Sequence, residues 1–378
     1  MRHQTLLAPG LGCLVLFAGF AMAAVKDVDC NKGQKLENAL DKADPGDTLR
    51  VQGVCHERVT ISTERITLLG EGSAVLDGGG VPGGSFAGVV RIEGAQGVVL
   101  DGLTIRNGGS NGVIGQSGAA FAVRHSNVQD NKLTGIVVAD GSTAEVSDST
   151  MRNNSLGVDV FNRSGVVFRG NVTITQNKGV GIDTNGGASV EVRGGKLHVD
   201  SNGGDGILVS NSVLSLLGFD ESVGSAITAN NNQGNGMRIG NGNVLVVGTD
   251  FPPGSFSIMA SGNKGTGIFV AGGGSIVSPF GTLKLEAQNN AVGLNFGSGG
   301  SAVLIGGLNV RNNDIGLLAD AAATLTLVSI PPNPSAIQNN KTTDVDLRFG
   351  TRSTINDVAI GTLKCDGTVL SRGSKVCP

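Results

Sequence analysis

The sequence predicts an all-β fold, a solenoid of stacked coils, and three features of the chain carry that expectation. An apolar residue, an Asn three positions later, a short polar turn and a Gly that opens an alternating strand recur together, as in Val172-Thr-Ile-Thr-Gln-Asn-Lys-Gly-Val-Gly-Ile-Asp-Thr184. The glycines of that pattern, Gly112, Gly135, Gly157, Gly181, Gly206, Gly236, Gly267, Gly293 and Gly316, stand 22 to 31 residues apart. Between them lie two or three period-two runs of Val, Ile, Thr and Leu separated by Gly, Asn, Ser and Asp, the chemistry of short strands and turns. A helical repeat would hold its length more tightly and be rich in Leu, Ala and Glu.

Aligned on the apolar anchor, the fourth positions are Asn131, Asn154, Asn177, Asn202, Asn230, Ser261, Gln288, Asn313 and Asn340. An Asn ladder has a physical reason. Asn tolerates the left-handed turn conformation, and its amide can bond the equivalent amide about 4.8 Å away on the next coil. Coils of this length exceed the roughly 18 residues of a hexapeptide-built triangle. They point to a single-stranded right-handed parallel β-helix. In this pattern, over roughly residues 45 to 350, the chain resembles the right-handed β-helix proteins of the pectate-lyase-like superfamily, in particular their carbohydrate-binding and sugar-hydrolase type repeats. The resemblance implies the fold; activities on this scaffold range from lyases, hydrolases, esterases and epimerases to tail spikes and adhesins.

Residues 1–23 read as a secretory signal: Arg2, an apolar stretch from Leu11 to Phe20, and Ala21-Met22-Ala23 as small residues at the cleavage site. The stretch is too short and Gly-rich to span a membrane, so none is expected once the signal is removed. Loss of Arg2 takes the net charge from −3 to −4, which gives no reason to expect nucleic acid. The localisation this implies is secreted or periplasmic. Four cysteines remain, Cys30, Cys55, Cys365 and Cys377. Three pairings are open on paper, but two would bridge the ends of a rod roughly 50 to 60 Å long. Cys30 with Cys55 and Cys365 with Cys377 are therefore expected, one staple at each end. No Cys-x-x-Cys spacing supports a metal site among them.

Residues 24–47 form an N-terminal cap with a short capping helix. Leu36, Ala39, Leu40 and Ala43 share one helical face, and Asp44-Pro45-Gly46 ends the run. Such a helix would cover the open end of the tube. Residues 48–350 form the β-helix and residues 351–378 a C-terminal cap. The stretch Asp77-Gly-Gly-Gly-Val-Pro-Gly-Gly84 is the most flexible-looking insertion, and Phe251-Pro-Pro-Gly254 and Ile330-Pro-Pro-Asn-Pro334 are stiffer ones.

Two positions after each strand-opening Gly, side chains should face solvent: Ile114, Val137, Asp159, Asp183, Leu208, Arg238, Phe269, Asn295 and Leu318. Asp159 and Asp183 thereby become neighbours on successive coils, with carboxylates about 5 Å apart. They are the candidate catalytic residues, an acid/base pair or half of a Ca²⁺ site. The ordinary alternative is that both are solvated or bonded to turn amides. A second outward column holds Ser147, Arg169, Arg193 and Leu217, read as surface arginines; a third places Glu286 beside Arg311 as a cross-coil ion pair.

The signatures of the polygalacturonase-like enzymes and of the mannuronan epimerases are missing, and Gly203-Gly-Asp-Gly206 stands alone rather than in a calcium-binding series. His56, His125 and His198 share no register, so no metal site is expected from them. With no Trp and no Tyr, the chain lacks the flat, polar-edged rings on which sugars commonly stack, and Phe269 is the exposed aromatic candidate. The leading expectation is a secreted, monomeric, non-catalytic structural or interaction module that contacts polysaccharide or an envelope or extracellular protein, without a cofactor. The alternative is a lyase or hydrolase of acidic polysaccharide using Asp159 and Asp183, with Ca²⁺ allowed for.

Overall fold

The computed structural model of the protein describes residues 23–218, 224–247, 255–331, 334–374 and 377. It is a parallel β-solenoid of about 13 turns. A 13-stranded sheet forms one side of the tube and a 22-stranded sheet wraps the rest. Long strands of the larger sheet join two rows of neighbours: Ser189–Asp200 pairs with both Val213–Leu217 and Ala226–Thr228, bending at Gly194, where φ is +61°.

Alternation supplies the core. Ile136, Val158, Ile182, Ile207, Met237, Ile268, Leu294, Leu317 and Val345 pair in register down the 13-stranded sheet, each with no accessible surface. Each such side chain contributes about 1.5–3 kcal/mol by leaving water.

The Asn ladder runs through Asn131, Asn154, Asn177, Asn202, Asn232, Asn263, Asn290, Asn313 and Asn340. Every rung works alike. Asn154 donates its backbone N–H and its Nδ2 to Asn177 Oδ1 at 3.0 and 3.2 Å, and its Nδ2 also reaches the Val128 carbonyl at 3.1 Å. The residue before each rung, such as Asp130, Asn153, Gln176 or Asn231, takes a left-handed φ near +56°, turning the rung inward. The strand-opening glycines lie beside the ladder: a Cβ on Gly181 would sit 2.6 Å from the Gly206 carbonyl oxygen and 2.9 Å from Asn202 Nδ2.

Three expected rungs are corrected. Asn230 and the positions Ser261 and Gln288 stand two residues before the true ones. Leu197 pairs with Ile227, Ile227 with Ile258 and Ile258 with Leu285, so the equivalents of the anchor Val199 are the small residues Ala229, Ala260 and Ala287. Anchoring on the larger apolar residue slips the register by one strand period. Asn230 instead accepts from the Ser261 amide. The same slip removes the expected Glu286–Arg311 pair: Glu286 lies opposite Asn309 and pairs with Lys284 at 2.7 Å, while Arg311 lies opposite Gln288.

At the N-terminal end the helix Leu36–Leu40 buries Leu36 and Leu40. Its first turn is capped from a distance, with the Glu57 carboxylate accepting from the Leu36 and Glu37 amides. Coils extend past the expected boundaries on both sides. Val25–Asp29 already pairs with the strand that starts at Thr48. Arg352–Asn356, Leu363–Cys365 and Leu370–Gly373 continue the sheets rather than forming a separate cap, because their own alternation still fits the pleat. Disulfides join Cys30 to Cys55 and Cys365 to Cys377. The signal stretch up to Met22 and the Phe251–Gly254 insertion lie outside the described residues. Among the described residues, no helix is long and apolar enough to cross a membrane.

Candidate functional site

The 13-stranded sheet sets Val137, Asp159 and Asp183 in one outward row, directly paired on consecutive strands. The two aspartates are therefore neighbours, yet they are not simply solvated. Both are half-buried, and Asp159 Oδ1 is buried with no hydrogen-bond partner. Burial first and the Asp183 charge second push the Asp159 carboxyl up to about 7. Burial also raises Asp183, against the hydrogen bond of the Thr184 amide, which lowers it. No described cation pairs with either.

The start of the row departs from expectation. Ile114 and Val137 are covered, not exposed, and with Ala139 and Phe161 they form a small apolar cluster outside the tube. The cause is the Gly-rich insertion, which folds onto this face. Asn111 Nδ2 holds the carbonyls of Ser85 and Ala87 at 2.6 and 2.9 Å, and Pro82 bridges to Gly109. Phe86, just after it, is half exposed.

The insertion thereby walls two cavities. One, of about 220 Å³, is lined by Phe86, Leu133, Leu156, Val137 and Phe161, with Asp159 as its acidic group and Ser85, Asn111, Thr134 and Ser155 as its other polar residues. The other is an open groove of about 960 Å³ along the stacked turns, lined by Gly79 and Gly80 of the insertion, His56, Asp77, the turn residues Asn107, Asp130, Asn153 and Gln176, and Lys132 and Lys178. Lys132 and Lys178 each follow a ladder rung, two coils and so about 10 Å apart. No described carboxylate pairs with them. Asp77, by contrast, is spent: burial would raise it, but the Gly79 amide, Asn107 and Arg106 outweigh that and hold it below the usual carboxylate range.

Other expected features lie apart. Arg169 bonds Glu145, and Arg193 bonds Glu191, on the other sheet. His125 meets Asp101 at 2.9 Å and His198 meets Thr228 at 3.0 Å, while His56 borders the groove. Cys30, Cys55 and Glu57 converge, but the sulfurs are joined to each other and Glu57 caps the helix. Phe269 is half-buried, and among the described residues the exposed aromatic rings are Phe86, Phe280 and Phe349. The ladder rung Asn290, with the left-handed turn residues Asn289, Asn312 and Asn339, also frames a smaller polar recess of about 440 Å³ around Lys264, Asp314 and Lys341.

Residues 66–213 match a family model described as a right-handed β-helix region. No curated protein sequence matches the chain. Among solved structures, the A-module of the mannuronan C-5 epimerase AlgE6 of Azotobacter vinelandii is similar at 15% identity, over 90% of this chain and 93% of that one, with a TM-score of 0.50. Tailspike protein 2 of the Escherichia coli O157:H7 bacteriophage CAB120 is similar at 12% identity, over 80% of this chain and 42% of that one, with a TM-score of 0.47.

Proposed function

We propose that this chain, a right-handed parallel β-helix of the pectate-lyase-like type, is an exported module that binds an acidic polysaccharide without cleaving it. The observation that carries the reading is the open groove of about 960 Å³, in which Lys132 and Lys178 stand without ion-pair partners, beside turn amides and an Asp130 carboxylate that is bonded by Gln129 and Asn153. An open groove suits an extended polymer rather than a compact ligand, which would be enclosed on most sides. Two lysines without ion-pair partners, two coils and so about 10 Å apart along the rod, favour an anionic one. The leader-like segment and the two disulfides support an oxidising compartment. The coil architecture has a precedent with polymers in the mannuronan epimerase module.

A second reading, cleavage of that polymer, is favoured by Asp159 and Asp183 on consecutive strands, one of them near neutrality and able to act as an acid. One experiment separates the two. The oxidised protein is titrated with acidic and neutral polysaccharides, with and without Ca²⁺, while reducing ends and unsaturated products are measured in the same samples. Binding without new ends is expected, stronger for acidic chains and weakened by salt. Lys132→Glu together with Lys178→Glu should lower the affinity about tenfold or more. Equal affinity for neutral chains, unaffected by those substitutions, would remove the groove reading. New ends lost in Asp159→Asn would replace binding with catalysis.

A further inference from the structure

We propose that the small pocket beside the groove reads an acetyl group carried by the bound polysaccharide, with the methyl among Phe86, Phe161, Leu133 and Leu156 and the carbonyl oxygen accepting a hydrogen bond from Asp159. The inference rests on the groove binding a polysaccharide and adds which substituent that polymer bears.

The two cavities share their walls. Within one turn, Asn131 and Lys132 face the groove while Leu133 and Thr134 face the pocket; one coil on, Asn153 faces the groove and Ser155 and Leu156 the pocket. A polymer lying in the groove therefore presents its side substituents to the pocket mouth. The cavity of about 220 Å³ would hold about seven waters, enough for a small substituent with part of its ring and too little for a second chain.

Its chemistry is one-sided. The walls are mainly apolar, which suits a methyl group and not a hydroxyl or carboxylate. Asn111 is already engaged, its Nδ2 by Ser85 and Ala87 and its Oδ1 by the Thr134 amide. Asp159 lines the pocket, and its buried oxygen has no donor from the protein that would hold the carboxyl in its charged form. With its carboxyl raised to about 7, Asp159 holds its proton through the mildly acidic range and offers an O–H rather than a charge. A protonated carboxyl in an apolar pocket is a donor matched to a neutral carbonyl. Acetyl groups come to polysaccharides as amides on amino sugars or as esters on hydroxyls, and both present the same methyl and carbonyl.

The test is calorimetric titration with two matched pairs of probes: a tetramer of N-acetylglucosamine against its N-deacetylated form, and O-acetylated xylan against the same xylan after mild de-esterification. The acetylated member of at least one pair should bind about tenfold more tightly, and which pair responds identifies amide or ester. That affinity should be flat below pH 7 and fall about tenfold per unit above it, as Asp159 loses its proton. Asp159→Asn, which keeps a donor, should bind at every pH with the dependence gone, while Asp159→Leu should lose about tenfold. Equal binding within both pairs would overturn this inference and leave the groove reading standing. So would tighter binding of the deacetylated amine, or affinity that rises with pH. Failure of every polysaccharide to bind, acidic chains included, would overturn both readings.

Discussion

Replacing Asp159 by Asn should stabilise the protein, and by an amount that depends on pH in a calculable way. The ordinary Asp value is 3.8 and the folded value is about 7, a rise of roughly three units. At 1.36 kcal/mol per unit, this amounts to about 4 kcal/mol. The folded protein keeps a proton that the unfolded chain has already released, so stability falls as pH rises from about 4 to about 7 and is level beyond. Asn has the same shape and never ionises. The variant and the parent should therefore differ little at pH 4, diverge through pH 5 and 6, and reach a constant gap above pH 7. For a chain of this size the full gap is about 5 °C in Tm. Thermal melts from pH 4 to 9 with the disulfides intact read it directly. A gap that does not change with pH, or one that widens toward acid, would refute the burial of Asp159 as the source of its shift. A parent more stable than the variant at pH 8 would show that Asp159 gains a favourable charge partner in the fold.

Two further tests bear on the ladder. Asn232→Ala leaves the Asn202 amide and Nδ2 without the acceptor they share, two buried donors at roughly 1–3 kcal/mol each, so a loss of about 2–6 kcal/mol is expected in denaturant unfolding. Asn230→Ala, two residues away, forfeits the part-buried bond from Ser261 and should cost at most about 1 kcal/mol; the reverse order would restore the register read from the sequence. Gly181→Ala should destabilise by about 1–3 kcal/mol, since its Cβ would lie 2.4 Å from Val199 Cγ1 as well as against the next coil, and an unchanged unfolding midpoint would show that the coils can part.

Much of this architecture is legible because it is periodic. The strand-opening glycines have one physical cause at every coil, a close approach to the carbonyl above, so counting from them placed Asp159 beside Asp183 correctly. Counting from apolar anchors failed where the anchor was Ala229, because a small buried residue carries a weak hydrophobic signal while Ile227 nearby carries a strong one. A better reading would have counted back from Gly236 to Asn232. The covering of Ile114 and Val137 was not legible at all. It depends on where the Asp77–Gly84 insertion and the residues just after it come to rest, which is decided by long-range contacts such as Asn111 with Ser85, and period-two patterning is silent on those. For the same reason the pocket around Asp159 could not be foreseen, although its acidic group could. From Thr351 onward the rung-and-glycine spacing of the repeat is lost while the alternation that pairing needs persists, so strands there still join the sheets.

The ladder has a direction. Each rung gives hydrogens to the next and takes them from the one before, and the series closes on Asp344, which accepts from Asn340 and Thr362 but has no hydrogen to pass on. Burial alone would raise the Asp344 carboxyl, and those donors outweigh it, keeping it below the usual carboxylate range. Every intermediate coil thus presents the same face upward and the same face downward, like a bead on a threaded string. Splicing out one such bead, or copying one, would leave both neighbours with the partners they already have. The protein's reach is therefore graduated in steps of about 4.8 Å, and a gene encoding it can shorten or lengthen the rod by whole units while the terminating carboxylate stays where it is needed.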